Sequence, residues 1–104
     1  MKPVVEGHVY LLDHQEGPNH ETISFLRKEI DPTDPDKKRL IKKGDGTSNE
    51  EVLRMLIDRL RYLNARVPCR ENSLAITKME EALMWLQKRT TDRLQRKVEG
   101  TEGK

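Results

Sequence analysis

Three arginines near the end of the chain, Arg89, Arg93 and Arg96, have a spacing that would place them along one side of an α-helix. Guanidinium groups one helical turn apart can both contact a single phosphate or pyrophosphate. The three arginines follow Leu86 at steps of three, four and three residues, so they also continue the apolar stripe of the helix. A stripe that begins with hydrophobic residues and ends with guanidinium groups indicates an anion site. The alternative is a solvated helix end, where cations offset the negative end of the helix dipole.

The residues before this arginine row predict two amphipathic helices, one over about residues 48–64 and one beginning near Asn72 or Ser73. The expected core positions are Leu53, Leu56, Ile57, Leu60 and Leu63 in the first helix, and Ile76, Met79, Ala82, Leu83 and Leu86 in the second. So short a connection predicts antiparallel packing. The second helix is longer, so its arginines should project beyond the end of the first helix.

The first 46 residues predict a small β structure. Residues 8–12 and 22–27 are β-prone, and a turn-forming cluster at 15–19 separates them, which predicts a β-hairpin. Residues 31–36 contain two prolines and predict a linker, and residues 37–43 predict a short strand or a helical turn. The expected fold is α+β in a single domain, 1–104, with a β segment and linker at 1–46, a helical hairpin at 47–98 and a tail at 99–104.

Composition limits the classes of function. With 37% charged and 34% hydrophobic residues, a lone subunit of 104 residues would have a thin core, so a homo-oligomer is expected. A net charge of only +2 disfavours a general nucleic-acid binder and favours a local anion site. The single Cys69 and the lack of a long apolar segment predict a soluble protein of the cytoplasm.

Three further positions have both a structural and a functional interpretation. Tyr62 lies opposite the predicted core stripe, so it is either an exposed or oligomer-contacting tyrosine or a ring that stacks on a base. Asn72 either caps the second helix or recognises the edge of an adenine. Met84 and Trp85 lie off the hairpin face, so they contact either a second copy of the chain or the β segment.

Catalytic and metal sites are not expected. His8, His14 and His20 have a spacing that matches no known metal site, and a polar turn explains them better. The sequence has no glycine-rich phosphate loop, no nucleophile elbow and no credible triad, and Cys69 has no nearby histidine in the sequence. We therefore expect no catalytic residues, no metal and no cofactor.

Residues 46–101 resemble the Thoeris anti-defence sponges of phages, which share a helical hairpin with the anti-CBASS sponges. The resemblance is carried by Asn49-Glu-Glu-Val-Leu, Leu56-Ile-Asp-Arg-Leu-Arg-Tyr-Leu-Asn64, Cys69-Arg-Glu-Asn72, Glu81-Ala-Leu-Met-Trp-Leu86, Arg89-Thr-Thr-Asp-Arg93 and Val98-Glu-Gly-Thr101. Tyr10-Leu-Leu-Asp in the β segment is similar to the strand region of the Thoeris branch.

This resemblance implies a function and a site. Such proteins bind glycocyclic ADP-ribose made by bacterial TIR enzymes and hold it without cleaving it, so the effector that would abort the infected cell stays off. Some members also bind cyclic trinucleotides of CBASS, and members assemble as dimers or hexamers. The family's pocket lies between subunits and uses an aromatic residue, an asparagine and two arginines, which correspond to Tyr62, Asn72, Arg89 and Arg93. Arg96 and Arg59 are second candidates.

Arg93 lies near a helix end, so its truncation is expected to leave the fold intact. Two other functions use the same residues. One is a small basic phage regulator that binds nucleic acid through the arginine row, and the other is a protein–protein interaction module that docks through Met84 and Trp85.

Overall fold

The structure is a computed structural model of the chain, and it describes residues 1–96. The described residues form two compact units that divide between Ser48 and Asn49. The first unit contains two small antiparallel sheets and the second contains two helices, which confirms the predicted α+β class. The predicted tail at 99–104 and the last residues of the predicted hairpin lie outside the described residues.

The first unit begins with a three-stranded antiparallel sheet. It contains β1 (Lys2–Val5), β2 (Val9–Asp13) and β3 (His20–Ser24), in the order β1-β2-β3. The ring of Tyr10 on β2 packs edge-on against that of Phe25, with centroids 6.0 Å apart. The predicted hairpin is present, and the segment before it adds a third strand.

A second, two-stranded sheet pairs β4 (Arg27–Ile30) with β5 (Leu40–Gly44). The predicted strand at 22–27 is therefore divided, because the chain at Phe25 turns aside to form a parallel bridge with Thr47. Gly46 makes this close approach possible, since a Cβ at that position would lie 2.3 Å from the carbonyl oxygen of Ser24.

Residues 31–36 contain no helix or strand, as their two prolines predict, and they belong to the loop that joins β4 to β5. The buried carboxylate of Asp31 accepts hydrogen bonds from the Arg39 guanidinium and from the amide and hydroxyl of Thr33. These bonds, with that of Arg39 the strongest, hold the pKa of Asp31 far below its usual range. Asp34 accepts the backbone amides of Lys38 and Arg39. The two aspartates thus give this polar segment a defined conformation.

The second unit is the predicted helical hairpin. Helix α1 (Asn49–Arg66) has 18 residues and α2 (Arg70–Gln95) has 26, so they extend about 27 Å and about 39 Å. Because they meet at a short turn, the last eight residues of α2 extend about 12 Å beyond the start of α1. The predicted difference in length is confirmed.

The seam between the helices follows a repeat of alternating three- and four-residue steps. Its half-buried or buried positions are Leu53, Ile57, Leu60 and Asn64 on α1, and Asn72, Ile76, Met79, Leu83 and Leu86 on α2; on the overhang, Thr90 and Arg93 continue the same repeat. This is the spacing of an antiparallel coiled-coil seam. Leu56 and Ala82, which were predicted to lie in the core, are exposed because they fall beside this repeat.

Candidate functional site

The turn end of the hairpin is held by side chains that bond to one another. The Asn64 side chain accepts the backbone amide of Cys69 at 2.9 Å and donates to the Ser73 hydroxyl at 3.1 Å. The Cys69 thiol in turn accepts the backbone amide of Asn72 at 3.4 Å and caps α2. Helix α2 therefore begins at Arg70, earlier than predicted.

The interpretation of Asn72 as the cap of α2 is therefore wrong, because Cys69 occupies that position. Asn72 lies in the first turn of α2, where it is half-buried on the seam side. Among the described residues, the structure gives its side-chain amide no hydrogen-bond partner. The amide thus keeps both its donor and its acceptor for another molecule.

Tyr62 lies on the outer face of α1, and its side chain is 57% exposed. Its hydroxyl accepts a hydrogen bond of 2.9 Å from the Arg66 guanidinium, which also lies 5.8 Å from the centre of the ring. The sequence prediction that Tyr62 does not belong to the hairpin core is confirmed. Arg66, which the sequence did not single out, fixes the orientation of the ring.

The arginine row divides between two environments. Arg93 is 6% exposed, whereas Arg89 and Arg96 are exposed. The prediction that all three continue the apolar stripe is wrong for Arg89 and Arg96. From Leu86 the seam steps four residues to Thr90 and three to Arg93, so Arg89 falls beside it. A buried arginine also cannot be truncated as freely as one at a solvated helix end.

Arg89 lies in an open groove along the overhanging part of α2. Five side chains line the groove: Trp85, Lys88, Arg89, Asp92 and Arg96. Lys88 donates to the Asp92 carboxylate at 2.8 Å, and the Trp85 side chain is 55% exposed. Within the described part of the chain, Arg89 has no carboxylate partner. The groove therefore offers an uncompensated guanidinium beside an exposed indole.

The four predicted binding residues lie at two separate ends of the hairpin. Tyr62 and Asn72 are within four residues of the turn, whereas Arg89 and Arg93 lie on the overhang. Asn72 and Arg89 are separated by 17 positions of the same helix, which is about 25 Å along its axis. A single copy of the chain does not bring these four residues together around one small molecule.

The second candidates follow the same division. Arg96 lines the groove with Arg89, and its Nε donates to the backbone carbonyl of Asp92 at 3.4 Å. Arg59 is exposed on α1, three residues before Tyr62. Arg96 therefore belongs to the overhang and Arg59 to the part of α1 that carries Tyr62.

Comparison with known proteins identifies the fold that carries these two ends. Residues 26–91, more than half of the chain, match the family model described as the Acb2/Tad1 hairpin domain. The chain belongs to this family. The match begins just before β4 and ends at Thr91, so this family domain includes the β4–β5 sheet, α1 and all of α2 except its last four residues.

One relative supports this assignment to the Acb2/Tad1 hairpin family. The chain is 57% identical over 61 residues to "Thoeris anti-defense 1" of Bacillus phage SBSphiJ7. The matched region covers 58% of this chain and 43% of the relative, so it spans less than half of that protein. The predicted resemblance to the phage anti-defence sponges is confirmed at the level of the family.

The histidines of the first unit and the acidic side chains near them do not form a metal site in the part of the chain that the structure describes. His14 pairs with Glu21 at 2.9 Å and His20 with Asp13 at 3.2 Å, as neighbours across the β2–β3 strands. Within residues 1–96, no group of three histidine, cysteine or acidic side chains is placed to hold a metal ion. No described helix is both long and apolar enough to cross a membrane.

Sequence reasoning missed Lys88 and Asp92 as members of the groove and treated Trp85 as an oligomer or packing contact. A signal for the groove was present in the sequence. From Trp85, the other four lining residues follow at three, four, seven and eleven positions, which is the spacing of one helix face.

Proposed function

We propose that this member of the Acb2/Tad1 hairpin family sequesters a cyclic nucleotide immune signal and releases it chemically unchanged. The ligand class is glycocyclic ADP-ribose of the Thoeris defence, with cyclic trinucleotides of CBASS as a second class. The protein would act in the cytoplasm of the infected bacterial cell, as an anti-defence protein without catalytic activity. The observation that carries this proposal is the exposed Arg89, which has no carboxylate partner among residues 1–96, on the overhang of a hairpin that belongs to this family.

The charges on the groove suit a small dianion. Lys88, Arg89 and Arg96 contribute three positive charges and Asp92 one negative charge, and all four lie on one face of α2. A pyrophosphate needs two or more cationic donors when it leaves water, because an unpaired phosphate charge in a protein site is costly. Since the ligand is cyclic and already stiff, it loses little conformational entropy on binding.

The adenine would be bound at the turn end. The ring of Tyr62 offers a broad exposed face for stacking, and Arg66 holds that ring in place. The amide of Asn72 can donate to and accept from the edge of an adenine. Because these groups lie about 25 Å from Arg89 along the hairpin, the complete site requires the turn end of one copy and the overhang of another.

The exposed apolar side chains of the hairpin support such an assembly. Ile57 is the one large hydrophobic residue that is buried among the described residues. The exposed ones on the two helices and at their turn are Met55, Leu56, Tyr62, Val67, Leu74, Met84, Trp85 and Leu94. An exposed apolar surface of this kind on a small domain favours association with a copy of itself. We propose a homo-oligomer, at least a dimer and up to a hexamer.

The direct test is isothermal titration calorimetry with isomers of glycocyclic ADP-ribose and with cyclic trinucleotides. We expect tight binding by the wild-type protein and a loss of about 100-fold or more for Arg89→Ala, which removes a charge-assisted phosphate contact. Arg54→Ala is the matched control, since Arg54 is an exposed arginine on α1 that neither lines the groove nor lies at the turn end. This control should bind like the wild type.

The released ligand distinguishes a sponge from an enzyme. After heating of the loaded protein, mass spectrometry should recover the ligand with its mass unchanged. Recovery of a hydrolysed product would contradict sequestration. Binding to single-stranded oligonucleotides instead, with an affinity that falls steeply as salt rises, would indicate a nucleic-acid-binding protein.

A further inference from the structure

Asp92 is the unexpected member of the groove on α2. A surface that only attracted phosphate would gain nothing from a carboxylate placed among Lys88, Arg89 and Arg96. Asp92 also bonds directly to Lys88, through an Nζ–Oδ2 distance of 2.8 Å, so it reduces the positive charge of the groove. Its presence calls for a ligand group that a carboxylate can bind.

Ribose hydroxyls are such a group. In dinucleotide-binding sites a carboxylate accepts hydrogen bonds from the ribose, while the N-terminus of a helix holds the pyrophosphate. The groove combines this carboxylate with cations for phosphate and with an exposed indole, whose ring face can pack against a sugar. It therefore carries binding partners for the phosphates and for the ribose of the ligand.

We propose that Trp85 and Asp92 are specificity-determining residues of this groove, with Asp92 accepting a ribose hydroxyl and Trp85 packing its ring against the sugar. This inference rests on the proposed function and extends it, because it assigns the sugar of the ligand to two residues beyond Tyr62, Asn72, Arg89 and Arg93. The ion pair with Lys88 positions the Asp92 carboxylate on the groove face before the ligand arrives.

Whether Asp92→Asn raises or lowers the affinity for the ligand separates this role from binding by charge alone. Asp92→Asn removes a negative charge from a cationic groove and frees Lys88, so a groove that binds only by charge would hold an anionic ligand more tightly. If Asp92 accepts a ribose hydroxyl, the same substitution removes a charge-assisted hydrogen bond and weakens binding, by about ten-fold.

The matched control is Glu81→Gln. It removes the same charge from the same helix, at a residue whose ion pair with Lys78 has a 3.9 Å separation and which does not line the groove. Trp85→Leu keeps an apolar side chain for any contact between copies but removes the aromatic face, so we expect about a ten-fold loss of affinity. Trp85→Phe should restore most of it.

Trp85 is the single tryptophan of the chain, so its fluorescence reports on the groove alone. Glycocyclic ADP-ribose should quench this emission with the midpoint that calorimetry gives, while light scattering shows an unchanged oligomer. Circular dichroism would verify that each variant is folded.

Two results are distinguishable failures. If the wild-type protein binds glycocyclic ADP-ribose but Asp92→Asn binds equally or more tightly, or the tryptophan emission does not change, the roles of Asp92 and Trp85 are overturned and sequestration stands. If the wild-type protein does not bind glycocyclic ADP-ribose or a cyclic trinucleotide, the proposed function fails and this inference fails with it.

Discussion

The two ends of the helical hairpin use polar side chains in opposite ways. At the turn end, Asn64, Cys69 and Ser73 bond to one another, and Arg66 bonds to Tyr62. On the overhang, Arg89 has no carboxylate partner among the described residues, and the groove around it keeps an excess of positive charge. One end is internally satisfied, so it can present a fixed ring and amide. The other retains binding capacity for an external anion.

The largest expected effect concerns Arg93. This arginine is an exception to the contrast between the two ends, because it lies on the overhang but its side chain is buried. Arg93→Ala removes a buried, packed side chain, and we expect a loss of about 2–4 kcal/mol of unfolding free energy. Urea denaturation followed by circular dichroism measures it. Arg89→Ala is the control and should change stability by less than about 0.5 kcal/mol. Equal effects of the two substitutions would contradict the different environments of these arginines.

A substitution of Tyr62 tests whether the turn end contributes to ligand binding. Tyr62→Ala removes the stacking face from an exposed position, so affinity for glycocyclic ADP-ribose should fall by about 1–3 kcal/mol. Calorimetry measures this loss. Tyr62→Phe keeps the ring and removes only the hydroxyl that Arg66 contacts, so it should retain most of the affinity. Loss of binding in both variants would show that the hydroxyl, and not the ring, carries the contact.

The sequence predicted the architecture of the helical hairpin well, because the length and the hydrophobic period of each helix are local properties. The seam was less predictable. Stepping three residues from Leu86 gave Arg89, whereas the packed hairpin follows the 3.5-residue repeat to Thr90 and Arg93. The order of the loop at Asp31 was also missed, since it depends on Arg39 eight residues later. A proline-rich sequence alone does not reveal that ion pair.

The candidate site was predictable in its residue types and not in its geometry. Tyr62, Asn72 and Arg89 could be named from the sequence, and the structure leaves the side chains of all three available at least in part. The position of Tyr62 and Asn72 at the same end of the hairpin, on two different helices, required the geometry of the turn, which Cys69 and Asn64 hold. Lys88 and Asp92 were overlooked because charged residues on a helix end usually form a solvated surface.

Asn64 provides a smaller effect that is confined to the turn end. Asn64→Ala removes the acceptor for the Cys69 amide and the donor to Ser73, so unfolding should become easier by about 1–2 kcal/mol. Thermal denaturation measures the change. The nearby Asn72→Ala should leave stability almost unchanged while it weakens ligand binding, because the side chain of Asn72 has no described partner. The reverse pattern would contradict the distinction between these two asparagines.

The smallest expected effect concerns the ion pair that crosses the hairpin. Arg61 donates to Glu80 at 2.6 Å, and both side chains are exposed. Glu80→Gln should therefore lower the free energy of unfolding by less than about 1 kcal/mol, and added salt should reduce the difference further. Denaturation at low and high salt measures both. A salt-independent loss of several kcal/mol would show that the hairpin depends on this pair.

The central claim is that the turn end of one copy and the overhang of another complete one binding site. The most direct measurement mixes two variants with weakened binding, Tyr62→Ala and Arg89→Ala, refolds them together and titrates the mixture with glycocyclic ADP-ribose. If each site combines residues from two copies of a symmetric dimer, about a quarter of the sites regain both side chains and bind at wild-type affinity. A mixture that binds no better than either variant alone would contradict the shared site.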